Sequence, residues 1–132
     1  MSRVYCLYSG SDGRSRLVEE SLQLSDESLG RVSTGMLAAR GWMYGVTQHD
    51  RFVDWHTAGA GGLSVMLEGS MDIEVGNGDR CTALPGDLLF ALDTRGQGHR
   101  VRLSKNSRGL TVALEGEPEQ LMQKLFGRVL SD

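Results

Sequence analysis

Short apolar segments separated by glycine-rich turns are the feature that most constrains the fold of this 132-residue chain. Met71 to Val75 alternates apolar and polar residues, and the turn sequences NGD (77–79) and LPGD (84–87) follow it. Alternation with a period of two is typical of strands that have one buried face. With 18 glycines the chain is too turn-rich for a helical bundle, and 39% apolar residues are too many for a disordered segment. The sequence therefore predicts an all-β domain.

The chain is short enough for one compact domain, in which we distinguish three segments. Residues 1–34 form N-terminal strands or an arm, residues 35–117 form the main β-structure, and residues 118–130 form a C-terminal helix. The helix is predicted because Pro118 suits a first helical position and the apolar residues after it recur with helical periodicity. We expect this helix to cover one end or one edge of the β-structure.

Charge and composition exclude several classes of partner. The formal net charge is −3, so no broad positive field is available to bind nucleic acid. No window reaches the roughly 20 apolar residues that a membrane span needs, and the first ten residues lack the order of a secretion signal. We therefore expect a cytoplasmic protein without a membrane partner. Cys6 and Cys81 are far apart and form no CxxC pair, which favours free thiols.

Two blocks in the middle of the chain resemble the cupin superfamily. The first runs from His56 through VMLEG (65–69) and the following IEVG, and the second is LPGDLLFALDTRGQGH (84–99). The array is similar to that of small bacterial single-domain cupins. The resemblance implies a double-stranded β-helix, or jelly-roll barrel, around a cavity that binds a small molecule, here with the C-terminal α-helix added.

The same resemblance implies a degenerate metal site. The first cupin block carries His-x-His and a glutamate, and alignment on the glycine of VMLEG places His56 at the first histidine. Ala58 and Gly62 then stand at the second histidine and the glutamate. His99 matches the histidine of the second block. The resemblance thus names His56 and His99 as metal ligands; no cofactor is required, and a divalent ion (Fe, Mn, Ni or Zn) is possible.

Strand alternation offers a chemical role for the same histidines. His99 shares a face with Val101 and Leu103, so it is expected to point inward, and Asp54 is expected to share a face with His56. We therefore name His56, His99 and Asp54 as candidate catalytic residues for proton transfer. The alternatives are hydrogen-bonded core histidines, or an iron site in which Asp54 or Asp93 supplies a carboxylate.

A second group of residues is predicted to bind the ligand. Trp42 and Tyr44, two apart on one strand, suit an aromatic wall, although core packing explains them equally well. Arg40 lies on that same face and needs an acidic partner, an anionic ligand or solvent. Met66 and Phe90 complete the predicted wall. His49 is expected at the surface, with a third metal ligand or a place at the cavity mouth as the alternative.

Three functions remain open from the sequence. The first is an isomerase, cyclase or lyase whose cavity histidines transfer protons on a small molecule. The others are a non-catalytic ligand-binding or sensing module and a non-haem iron dioxygenase, because a jelly roll hosts all three. We also predict a homodimer, since open jelly rolls leave edge strands and residues 3–24 supply two strands that could pair between copies.

Overall fold

The computed structural model describes residues 2–132, which are mostly β-strand. One helix of nine residues is present in this range, and no helix there is long and apolar enough to cross a lipid bilayer. The elements in chain order are β1 (Val4–Ser9), β2 (Ser15–Glu19), β3 (Asp26–Ser28), β4 (Arg31–Ser33), β5 (Ala39–Val46), β6 (Arg51–His56), β7 (Gly62–Glu68), β8 (Met71–Val75), β9 (Arg80–Ala83), β10 (Leu88–Ala91), β11 (His99–Leu103), β12 (Arg108–Leu114) and α1 (Pro118–Phe126).

Two facing sheets organise these strands. The larger sheet has the order β2-β1-β10-β7-β12-β5 and the smaller has the order β6-β11-β8-β9, while β3 and β4 form a separate hairpin. From β5 to β12, consecutive strands alternate between the two sheets except at the β8–β9 hairpin, which is consistent with the predicted double-stranded β-helix. The sheets do not close into the predicted barrel, because the neighbouring edge strands β5 and β6 pair only within their own sheets.

The main core lies between the two sheets. In β8 the residues Met71, Ile73 and Val75 are buried and the two acidic residues between them face outward, as the alternation predicts. Apolar residues of β1, β7 and β10 meet them from the larger sheet. The buried members of this core are Tyr5, Leu7, Met66, Met71, Ile73, Val75, Ala83, Leu89 and Val101.

The helix covers the opposite face of the larger sheet. Its buried residues pack against residues of β1 and β10, with Phe126 edge-to-face on Phe90 at a ring-centroid distance of 5.9 Å. Helix α1 ends at Phe126, four residues before the predicted end at residue 130. The reason is Gly127, whose left-handed backbone (φ 74°) closes the last turn, and Leu130 remains buried beyond it.

Strands β1 and β2 of the N-terminal segment join the larger sheet, while β3 and β4 of the same segment form the separate hairpin. Strand β1 pairs antiparallel with β2 and parallel with β10, so it lies inside the sheet. Cys6 and Leu7 are fully buried on its two faces, one under the helix and one between the sheets. Strand β1 therefore covers the edge of β10 within the same chain. Met1 lies outside the described residues.

Candidate functional site

A cavity of about 710 Å³ opens between the two sheets on the side where β5 and β6 do not pair. This volume falls within the range of sites that hold a small organic molecule. Both sheets supply mostly aliphatic walls, and polar groups gather at the two ends. The apolar lining includes Met43, Val53, Val65, Met66, Leu89, Ala91, Val101 and Leu110.

His56 and His99 meet at one end of this cavity. His56 is the last residue of β6 and His99 the first of β11, and the two are paired directly in the antiparallel register. Their ring centroids are 4.4 Å apart and both side chains line the cavity. The structure thus brings together the two histidines that the sequence singles out.

Gly98 permits this close approach. Its backbone has a left-handed conformation (φ 79°), and a Cβ atom added there would overlap the carbonyl oxygen of His56. A side chain at position 98 would therefore push β11 away from the end of β6. The glycine before His99 has a steric role in setting the two imidazoles side by side.

A buried carboxylate orients His99. Asp93, in the loop before β11, is fully buried, and its Oδ2 lies 2.7 Å from Nδ1 of His99. The same oxygen accepts a hydrogen bond of 2.6 Å from the hydroxyl of Ser15, also fully buried. An ionised Asp93 only accepts hydrogen bonds, so Nδ1 of His99 carries hydrogen and Nε2 remains for the cavity.

Sequence reasoning considered Asp93 as the carboxylate of an iron site and did not identify Ser15 as its partner. The hydroxyl of Ser15 reaches Asp93 from the start of β2, a separation of 78 residues. No local pattern connects the two positions. The Oδ1 atom of Asp93 has no hydrogen-bond partner within residues 2–132, which leaves a buried acceptor beside the imidazole.

His56 is oriented by the backbone. Its Nδ1 lies 2.8 Å from the carbonyl oxygen of Asp54, and a carbonyl only accepts, so this nitrogen carries hydrogen as well. The Asp54 carboxylate instead accepts the backbone N–H of Trp55 at the surface. The prediction that the Asp54 side chain joins or orients His56 is therefore wrong.

A register shift explains this error. His99 pairs with His56 but Val101 pairs with Val53, so β6 carries one residue more than β11 over this stretch. Such a bulge moves all residues on one side of it to the other face. Val53 accordingly lines the cavity, while its neighbour Phe52 lies outside against the guanidinium of Arg102.

Of the predicted ligand-binding residues, Met66 lines the cavity and the other four do not. In β5 the cavity face carries Met43 and Gly45, whereas Trp42 is 73% exposed on the other face and Tyr44 contacts the side chain of Arg108. The structure therefore corrects the predicted aromatic wall. Both faces of β5 are apolar, so alternation alone could not decide which face turns inward.

Phe90 and Arg40 also lie away from the cavity. Leu89 and Ala91 are the cavity-facing residues of β10, and Phe90 points to the opposite side, where it packs under α1. Arg40 lines a separate surface depression beside the start of the helix. Neither residue lines the cavity that holds the histidine pair.

The donor set does not fit a resident divalent ion. Residues 2–132 contain no group of three or more His, Cys, Asp or Glu side chains placed to hold a metal. Asp93 binds Nδ1 of His99 and so stands behind the imidazole, and His49 precedes the far end of β6. Two imidazoles fall short of the three or more protein ligands that catalytic sites for such ions use.

The two cysteines do not contribute to this site. Cys6 and Cys81 are both free, as predicted, and neither lines the cavity. Burial raises the pKa of each thiol to about 12. The thiolate is the nucleophilic form, so both cysteines are unreactive near neutral pH.

Comparison with known proteins gives similarity at the level of structure. No protein-family model matches the chain, and no curated protein matches it. Among solved structures, it is similar to a Salmonella typhimurium LT2 protein that carries the name ethanolamine utilization protein Q (19% identity, 86% of this chain, 96% of that one, TM-score 0.42). It is also similar to a cupin superfamily protein from Desulfitobacterium hafniense DCB-2 (11% identity, 72% of this chain, 98% of that one, TM-score 0.41).

Proposed function

We propose that this protein binds a small organic molecule in the cavity, within a double-stranded β-helix, and transfers a proton on it through His56 and His99. The observation that carries the proposal is the arrangement of the two rings. Each Nδ1 is engaged, by the Asp93 carboxylate or by a backbone carbonyl, and each ring lines the same cavity. Nε2 is therefore the nitrogen that each ring has left for a ligand.

When one of the two adjacent imidazoles carries an additional proton on Nε2 and the other does not, the pair provides an acid and a base together. In the proposed reaction the unprotonated Nε2 of one ring takes a proton from the ligand. The other ring gives its additional proton to a different atom of the same ligand. The pair therefore again carries one additional proton afterwards. This sequence describes an isomerisation, and return of the proton to a leaving group describes a lyase or cyclase reaction.

The surroundings of the pair support proton transfer. Asp93 acts as a positioning residue, because its Oδ2 binds Nδ1 of His99 and fixes the ring without touching the ligand. Aliphatic side chains line the cavity beside the rings, and contact of the ligand with them strengthens its electrostatic interactions with the imidazoles.

The experiment first identifies ligands and then measures proton transfer. Small organic acids, sugars and aromatic metabolites are screened by thermal shift, and each hit is incubated with the protein in deuterium oxide. Proton NMR then reports exchange of ligand hydrogens for deuterium. We expect His56→Gln and His99→Gln to retain binding and to lose about 10²–10⁴-fold of the exchange rate.

Asp72→Asn is the matched control, because Asp72 lies on the outer face of the smaller sheet, where its carboxylate accepts a hydrogen bond from the Thr82 hydroxyl, and it does not line the cavity. It should leave both binding and exchange unchanged. Binding without exchange in the wild-type protein would favour the non-catalytic binding or sensing module. A screen without hits, with unchanged stability in both histidine variants, would refute the cavity as the working site.

A further inference from the structure

We infer that the ligand of this cavity is an elongated organic anion, with its charged head at the end opposite the histidines and an apolar body between. This inference rests on the proposed use of the cavity and adds the chemical class of the ligand. It follows from how charged, apolar and imidazole groups are distributed along the cavity.

The two ends of the cavity are set by the two ends of β6. His56 pairs with His99 at one end and Arg51 pairs with Leu103 at the other. A strand advances about 3.3 Å per residue, so the two ends lie roughly 15 Å apart. Arg51 and His56 both line the cavity, so a molecule that reaches both must be elongated.

Formal charge in the lining is confined to the Arg51 end. Apart from the histidines, the charged lining residues are Asp50, Arg51 and Arg108. Arg51 pairs with Leu103, the last residue of β11, and a short turn connects Leu103 to Arg108, the first residue of β12. Arg108 therefore lies at the same end of the cavity as Arg51. Between this end and the imidazoles the lining is mostly aliphatic, which suits an apolar chain.

The charged end favours an anion. The Asp50 carboxylate accepts the backbone N–H of Lys105 at 2.8 Å. Arg108 contacts the Tyr44 hydroxyl and makes a 3.5 Å ion pair with Glu68, whose side chain is 67% exposed. Arg51 makes no ion pair with any residue in the range 2–132. The Arg108 guanidinium is thus engaged by Tyr44 and Glu68, and Arg51 is the guanidinium in the lining that no carboxylate of residues 2–132 neutralises in an ion pair.

A carboxylate fits this arrangement. The guanidinium of Arg51 presents a planar set of donors that matches two carboxylate oxygens. With the head held there, the chain lies along Val53, Leu89 and Val101 and its far end reaches Nε2 of the histidines. The group that gains or loses a proton is then at the end of the molecule opposite the carboxylate.

The test compares straight-chain carboxylates with neutral analogues. Isothermal titration calorimetry measures Kd for alkanoates from butanoate to decanoate and for primary alcohols of the same lengths. We expect Kd to fall about fourfold for each added methylene until the chain reaches the histidines, in both series. We also expect the carboxylate to bind about tenfold more tightly than the alcohol of equal length.

Arg51→Gln should remove this preference by weakening carboxylate binding about tenfold while alcohol binding is unchanged. Arg31→Gln, on the exposed β3–β4 hairpin away from the cavity, is the matched control and should change neither series. Alcohols that bind as tightly as carboxylates, or a preference that survives Arg51→Gln, would overturn the anion head but leave the proposed cavity intact. If neither series binds, the elongated apolar ligand is overturned, and the isotope-exchange screen, which uses its own hits, decides the proposed function separately.

Discussion

Replacement of Asp93 is the sharpest test of how the site is held together. In the Asp93→Ala variant, the Ser15 hydroxyl and the Nδ1 hydrogen of His99 both lose their acceptor in a fully buried environment. A buried donor left without a partner costs about 1–3 kcal/mol. Removal of the carboxylate also relieves its own burial, including that of the unpartnered Oδ1. We therefore expect a loss of about 3 kcal/mol in the free energy of unfolding.

Asp93→Asn keeps the orientation of His99 and removes only the charge of the carboxylate. The carboxamide has nearly the same volume, and its oxygen in the position of Oδ2 can accept both the Ser15 hydroxyl and the Nδ1 hydrogen of His99. The amide group then takes the position of the unpartnered Oδ1. We therefore expect a loss of only about 1 kcal/mol and hydrogen still on Nδ1 of His99.

Urea unfolding followed by circular dichroism measures the stability, and long-range proton–nitrogen NMR identifies the His99 tautomer. Asp72→Asn is again the control and should change stability by less than about 0.5 kcal/mol, since its hydrogen bond to Thr82 is exposed. Wild-type stability in Asp93→Ala, or a wild-type His99 that carries hydrogen on Nε2 and not on Nδ1, would refute the conclusion that this carboxylate holds His99.

Three further predictions follow from other parts of the structure. Gly98→Ala should lower the free energy of unfolding by about 1–3 kcal/mol and separate the cavity histidines, which calorimetry and ring chemical shifts would report; unchanged values would contradict the steric argument. Because burial raises the pKa of Cys6 and Cys81 to about 12, an aromatic disulfide reagent at pH 8 should label the native protein far more slowly than the urea-unfolded chain, and equal rates would contradict it. The predicted homodimer remains a proposal, and we place its interface at the edge strand β5, where Trp42 is 73% exposed. Light scattering should show a dimer that Trp42→Lys dissociates, and a wild-type monomer at high micromolar concentration would refute the proposal.

The sequence alone determined the features that depend on local patterns. The alternation in β8 identifies its buried residues, because a strand with one buried face must place apolar side chains at every second position. Pro118 marks the start of α1 for a similar reason, since its fixed φ and missing N–H suit a first helical position. His99 was expected to point inward by alternation with Val101 and Leu103, and it is buried.

Tertiary structure decided which faces and which distant residues form the site. Strands β5 and β10 carry apolar residues on both faces, so only the tertiary structure decides that Met43 and Leu89 line the cavity while Phe90 packs under α1. The bulge in β6 cannot be read from alternation, because one extra residue reverses the parity of the strand. Ser15 reaches Asp93 across 78 residues, a contact that exists only after β1 and β2 join the larger sheet. Local periodicity contains no information about such long-range pairings. These pairings bring Ser15 to Asp93, the residue that orients His99.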